Sequence, residues 1–261
     1  MVYSKQRRLS RPTHRRFLSL VLAAALIISW VGTAAAQDAP KAEDLIGKYI
    51  KAVGKYTKDG KPATIKSRVT KGKLIVTDFG MEGDITDFLI PPNNYSKIVF
   101  EALGEIERGV KGDVAWEINP MIGPRILEGA EKAGRLQEAA GFNRFENWKK
   151  FYAKAETKGE GTVGDAACYK VVMTPKDGSP TTCYFDKKSG LLLKTEAEVE
   201  GFDVEVTLSD YKETAGVKLP HKVLTEGGEY NLEMLIETVE YNADIPKDRF
   251  DLPDEIKELT K

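Results

Sequence analysis

Between Leu191 and Leu208 the chain alternates twice in succession. Leu191, Leu193, Thr195, Ala197 and Val199 are apolar or small at odd positions, with Lys194, Glu196 and Glu198 between them. After Gly201 the pattern moves to Phe202, Val204, Val206 and Leu208, which alternate with Asp203, Glu205 and Thr207. A period of two turns one face of each strand toward a core and the other toward water. Cys183-Tyr184-Phe185-Asp186 leads in through Lys187-Lys188-Ser189-Gly190, where Asp and Gly supply the conformations a hairpin turn needs. Three antiparallel strands in sequence form a meander, and a sheet with one apolar face must have that face covered. The expected fold class is mainly β with α, an antiparallel sheet with helices laid on its apolar side.

The same reading extends upstream and downstream. Leu74 and Val76 alternate with Lys73, Ile75 and Thr77, and Met81, Ile85 and Leu89 with Glu82, Asp84 and Thr86. Pro91-Pro92-Asn93-Asn94 marks a turn. Residues 95–101, 105–110 and 113–118 read as further strands, the last with Val114, Trp116 and Ile118 on one side. About five consecutive strands on short turns make a sheet that curls. Strands resume over 154–161 and 167–174, and after the central meander over 216–225 and 230–241, before an extended closing segment over 242–253.

Two regions break the period of two. Asp38-Ala39-Pro40 opens a helix whose stripe is Leu45, Ile46, Tyr49, Ile50 and Val53, ended by Gly54. Between residues 126 and 153, Leu127, Ala130, Ala133 and Leu136 mark a small-faced helix stopped at Gly141. Asn143 with Glu146 forms a capping box ahead of Phe145, Trp148, Phe151 and Tyr152 at helical spacing. These helices either pack on the sheet as core or form a movable lid over a cavity.

Residues 1–36 read as a secretory signal peptide. Lys5, Arg7, Arg8, Arg11, Arg15 and Arg16 precede an apolar run from Phe17 to Trp30, and Ala34-Ala35-Ala36 supplies the cleavage box. That run is shorter than the ~20 residues a membrane span needs. Cleavage leaves residues 37–261 as one domain exported to an oxidising compartment, expected to be the periplasm. Of 39 basic residues, 6 leave with the leader, so 33 face 40 acids and the net charge is −7. Such a chain is not built for nucleic acid, which calls for clustered excess Lys and Arg.

The residues available for chemistry are few. His221 is the only histidine after the leader and reads as a partly exposed structural side chain. No phosphate loop, nucleophile elbow or His-rich metal site occurs, so no catalytic residue, metal or cofactor is expected. Cys168 and Cys183 are the only cysteines. Their compartment and even number favour a disulfide. Against it, a turn centred on Asp177-Gly178 sets Cys183 opposite Val172, four residues from the register a bridge needs, and only a turn at Pro175-Lys176 with a bulge restores the pairing. Both outcomes stay open.

Several short motifs resemble a family when taken in order: Ala115-Trp116-Glu117 after Gly112, Tyr184-Phe185-Asp186 with Ser189-Gly190-Leu191, Asp210-Tyr211-Lys212 with Gly216-Val217-Lys218-Leu219-Pro220, and the ending from Asn242 to Pro253. Together they resemble the outer-membrane lipoprotein-sorting superfamily of periplasmic carriers. The resemblance implies a strongly curved, incomplete β-barrel with helices on the concave face and a hydrophobic cavity for acyl chains. Alternation then nominates the residues facing that cavity or core: Leu74, Val76, Met81, Ile85 and Leu89; Val114, Trp116 and Ile118; Leu191, Leu193, Val204 and Val206; met by Phe145, Trp148 and Phe151 from the helices. The expected function is non-enzymatic binding of an acylated lipid or lipoprotein. The competing expectation is a structural or regulatory module of the cell envelope whose cavity is filled by its own helices and whose surface binds protein.

Overall fold

Thirteen antiparallel strands form one sheet in the computed structural model, which describes residues 39–141, 145–176, 179–199, 201–228 and 230–261. The leader, Asp38, the Asn143 cap and the Asp177-Gly178 turn lie outside the described residues. Helix α1 (Ala42–Val53) comes first and ends at Gly54, whose φ of 80° is a conformation that favours glycine. A small hairpin of β1 (Thr57–Lys58) and β2 (Lys61–Pro62) follows. Six strands then meander outward: β3 (Arg68–Val76), β4 (Met81–Ile90), β5 (Asn93–Phe100), β6 (Gly104–Lys111), β7 (Val114–Asn119) and β8 (Gly123–Ile126).

After α2 (Gly129–Ala139) and α3 (Trp148–Phe151) the chain resumes at the far edge and meanders back. The returning strands are β9 (Tyr152–Val163), β10 (Ala166–Pro175), β11 (Thr181–Asp186), β12 (Leu192–Val199), β13 (Phe202–Thr214), β14 (Val217–Glu226) and β15 (Leu232–Tyr241). β15 zips antiparallel onto β3, so the two meanders meet in mid-sheet and β8 and β9 are the free edges. The sheet is curved and not closed. Laid flat, thirteen strands would span roughly 58 Å from edge to edge at about 4.8 Å per spacing. Helices α2 and α3 come in the chain between the two edge strands.

The seam between β3 and β15 is irregular for a visible reason. Its register shifts between Ile236 and Thr238, and opposite this bulge stands Gly72, where an added Cβ would lie 2.0 Å from the Leu235 carbonyl oxygen. Only a residue without a side chain lets the backbones approach so closely.

Each face of the sheet is covered in part. On the inner face, Ala42, Leu45 and Ile46 of α1 pack with Tyr152, Val171, Met173, Cys183, Phe185 and Leu192 over β9–β12. Also on the inner face, Ala139 of α2 meets Val110, Ala115 and Leu127. The outer face of β4–β8 is sealed by the C-terminal segment: a 3-10 turn over Lys247–Phe250 and helix α4 (Asp254–Leu259). Ile245, Phe250 and Ile256 pack there against Tyr95 and Trp116. What reads in sequence as an extended ending is therefore an outer layer anchored by the buried side chains of Ile245, Phe250 and Ile256.

Candidate functional site

Two cavities adjoin on the inner face. The first, about 400 Å³, lies between the end of α1, the 55–65 segment and β14, with Tyr49, Ile50, Phe145, Val217 and Tyr241 on its walls. The second, about 390 Å³, lies under α2 over β3–β6, β14 and β15. Arg68 and Leu219 belong to both walls, so they stand at the junction. Residues of β6 and β14 line the second cavity although five spacings, about 24 Å along the sheet, separate those strands. Such convergence follows from the curl.

The second cavity is two-sided in character. Leu74, Ile85, Ile98, Leu232 and Met234 form its apolar end. Further along the same strands the inward positions turn polar. Arg68 and Thr70 precede Leu74 at even positions of β3, Asp87 follows Ile85 on β4, Asn94 and Ser96 precede Ile98 on β5, and Arg108 comes from β6. Helix α2 adds Arg135 and Glu138 from above.

These polar groups form one network. Asp87 lies 3.5 Å from Arg68 Nη2 and accepts a 2.8 Å hydrogen bond from Asn94 Nδ2. Burial pushes its carboxyl above the ordinary range, against the pull of Arg68 and Asn94. Arg135 donates to Glu138 at 2.7 Å. Behind them, Arg125 makes a fork on Glu131 at 2.7 and 2.8 Å and reaches Glu117 at 3.4 Å, while Arg108 Nε stands 3.5 Å from the other Glu117 oxygen. Burial, then the positive charge of Arg135, pushes the Arg108 guanidinium down from its ordinary value, with Glu117 opposing. On the wall of the first cavity the Tyr241 hydroxyl is buried without a hydrogen-bond partner among the described residues, and burial raises its pKa to about 12.

The structure sorts the fifteen nominated residues into separate places. Leu74, Val76, Met81 and Ile85 come together on the inner face, Leu74 and Ile85 directly on the cavity wall, and Leu89 shares that face. Val114, Trp116 and Ile118 do not belong with them. Ala115, between two of them, faces α2, so they point outward into the C-terminal layer with Ile245, Phe250 and Ile256. Leu191 and Leu193 are corrected as well. The β11–β12 register shifts between Tyr184 and Phe185, so Leu192 takes the core position opposite Phe185 and the two neighbours stay half-buried. Val204 and Val206 share a strand face with Leu208, which packs under α1, and lie away from the second cavity. Phe145, Trp148 and Phe151 also join the α1 cluster, and of the three only Phe145 lines one of these two cavities.

His221 and the two cysteines also have definite places. His221 is buried, with its Nδ1 2.8 Å from the Ile236 carbonyl oxygen at the seam. Cys168 and Cys183 are both buried and are not joined by a disulfide. Cys183 sits opposite Val171 and Cys168 opposite Asp186, a three-residue offset that puts them on opposite faces, about 11 Å apart by strand rise and spacing. No group of three or more His, Cys, Asp or Glu suited to a metal lies together among the described residues. The polar inner-face residues were missed, although the same alternation that marks Leu74 and Ile85 points Arg68, Thr70 and Asp87 the same way.

No protein-family model matches the chain, and no curated protein does. Solved structures are similar in fold. A DUF1329 family protein from Desulfovibrio piger superposes with a TM-score of 0.54 at 15% identity, over 80% of this chain and 95% of that one. A LolA superfamily protein from Nitrosomonas europaea gives 0.53 at 14%, over 82% and 99%. An outer membrane lipoprotein-sorting protein domain from Vibrio parahaemolyticus gives 0.50 at 12%, over 71% and 88%. The chain has the fold of the LolA superfamily and lipoprotein-sorting structures, an open curved antiparallel sheet with helices on its inner face.

Proposed function

We propose that this chain is an exported, periplasmic binding protein that carries or senses acylated ligands, lipid or lipoprotein, without performing chemistry on them. The observation that carries the reading is the cavity under α2, which offers Leu74, Ile85, Ile98, Leu232 and Met234 as an apolar wall beneath a helix. Its volume falls within the range of about 300–1,000 Å³ typical of small-molecule sites. Each CH₂ moved from water to such a wall gains about 0.8 kcal/mol, so a chain of several methylenes is retained without any specific polar contact. The lipoprotein-sorting likeness supports the reading at the level of fold. The basic and apolar leader supports export, and among the described residues no helix is long and apolar enough to cross a membrane.

The experiment is mass spectrometry of lipids extracted from protein purified natively from its host. Co-purifying acyl chains in near-stoichiometric amount are expected. A protein that emerges empty and takes up no lipopeptide would favour the competing role, an envelope interaction module whose inner face is occupied by its own helices. The α1 side is already filled in that way, by Leu45, Ile46 and the aromatic side chains around them.

A further inference from the structure

The cavity under α2 is not uniformly apolar, and its polar end is unequally satisfied. Four arginines and four acids make up the network, yet the pairing is uneven. Arg125 holds Glu131 through two short bonds, Arg135 holds Glu138 at 2.7 Å, and Asp87 is taken by Arg68 and Asn94. Arg108 receives what remains. Glu117 is its only partner among the described residues, 3.5 Å away and shared with Arg125, and the buried Nε makes no hydrogen bond. No described group accepts from its two terminal nitrogens, and Arg108 stands on the cavity wall beside Ser96 and Arg135. A half-buried arginine on a cavity wall, its Nε buried without a hydrogen bond, is met best by a planar or tetrahedral anion that accepts two parallel bonds.

The apolar end lies on the same strands. Ile98 is two positions along β5 from Ser96, about 7 Å away at strand rise, and the wall continues through Leu74 and Met234. We infer that the cavity under α2 takes an amphiphile whose acyl chain lies along Leu74, Ile98 and Met234 and whose terminal anionic group, a carboxylate or phosphate monoester, is held by Arg108. This rests on the acyl-binding reading above and adds to it the charge of the ligand. A fully esterified, neutral lipid would leave Arg108 as poorly satisfied as before, so the site discriminates by charge at equal chain length.

The test measures affinities of the full chain for hexadecanoic acid, its methyl ester and palmitoyl lysophosphatidic acid, by displacement of a fluorescent acyl probe. The acid, the lysophosphatidate or both are expected to bind roughly 10- to 100-fold tighter than the ester, the range set by a charge-assisted hydrogen bond. Whichever anion is preferred identifies the group. Arg108→Gln should bring that ratio to about one. Arg108→Lys, which keeps the charge and guards against a folding defect, should retain part of the preference. Equal binding of acid and ester by the unaltered chain overturns the inference and leaves the acyl-binding reading standing. Failure of all three ligands to bind overturns both.

Discussion

Replacing Trp116 by alanine separates the two faces of the sheet. The side chain is 1% exposed and packs with Tyr95, Ile245, Phe250 and Ile256, its ring centroid 6.2 Å from that of Tyr95. Opposite it stands Gly109, where an added Cβ would lie 2.7 Å from the indole, so the ring rests on the bare backbone of β6. Truncating a buried tryptophan to alanine costs about 3–5 kcal/mol, because the cavity left behind collapses only partly. For a domain of this size that is a fall of roughly 6–20 °C in Tm. None of the lost contacts belongs to the cavity under α2. Urea melts and acyl-probe titration on the same sample should therefore show a large loss of stability, with affinity unchanged at temperatures where the variant is folded. A folded Trp116→Ala protein with near-native stability and weakened uptake would refute the assignment of Trp116 to the outer layer.

Gly72→Ala should destabilise the β3–β15 seam by about 1–3 kcal/mol, read from urea melts, since its Cβ must displace the Leu235 carbonyl. Ile85→Asp, which puts a carboxylate at the apolar end of the cavity, should weaken uptake of an acyl probe by at least about tenfold, with circular dichroism confirming the fold. For Asp87 the sign follows from its raised pKa. The folded state binds this proton more tightly than the unfolded state, so the contribution is favourable at low pH and is lost as pH rises through the folded value. The stability of the unaltered chain relative to Asp87→Asn should therefore increase as pH is lowered from 7 toward 4; an unchanging or opposite trend would contradict the burial of this carboxyl. Thiol titration of the denatured, unreduced protein should find two free thiols, and none would show that β10 and β11 pair in another register.

How much of this was legible in sequence depends on which ambiguity each residue faced. Strand alternation placed Leu74, Val76, Met81, Ile85 and Leu89 together, and the stripe from Leu45 to Val53 marked α1 with its glycine stop. Alternation says which residues share a face but not which face is inner. With β7 covered on both sides, Val114, Trp116 and Ile118 were equally good for either, and the C-terminal segment that decides the matter is distant in sequence. A bulge cannot be seen in a period-two pattern, so the shift near Leu193 exchanged Leu192 for its neighbours. The polar wall is hidden in sequence because its residues interrupt the apolar pattern that marks a core face. Arg68 and Asp87 stand in phase with Leu74 and Ile85, and a charged side chain in phase with a core face is itself the signal of a lined cavity.

Photo-crosslinking with a long-chain acyl probe bearing a diazirine near its terminus, followed by peptide mapping, tests the central claim most directly. The predicted labels fall on β3–β5 and β15, at Leu74, Ile85, Ile98 and Met234. Labels confined to the exposed apolar residues Phe79, Met121, Ile122 and Phe202, or to none of these segments, would contradict an acyl-binding cavity beneath α2.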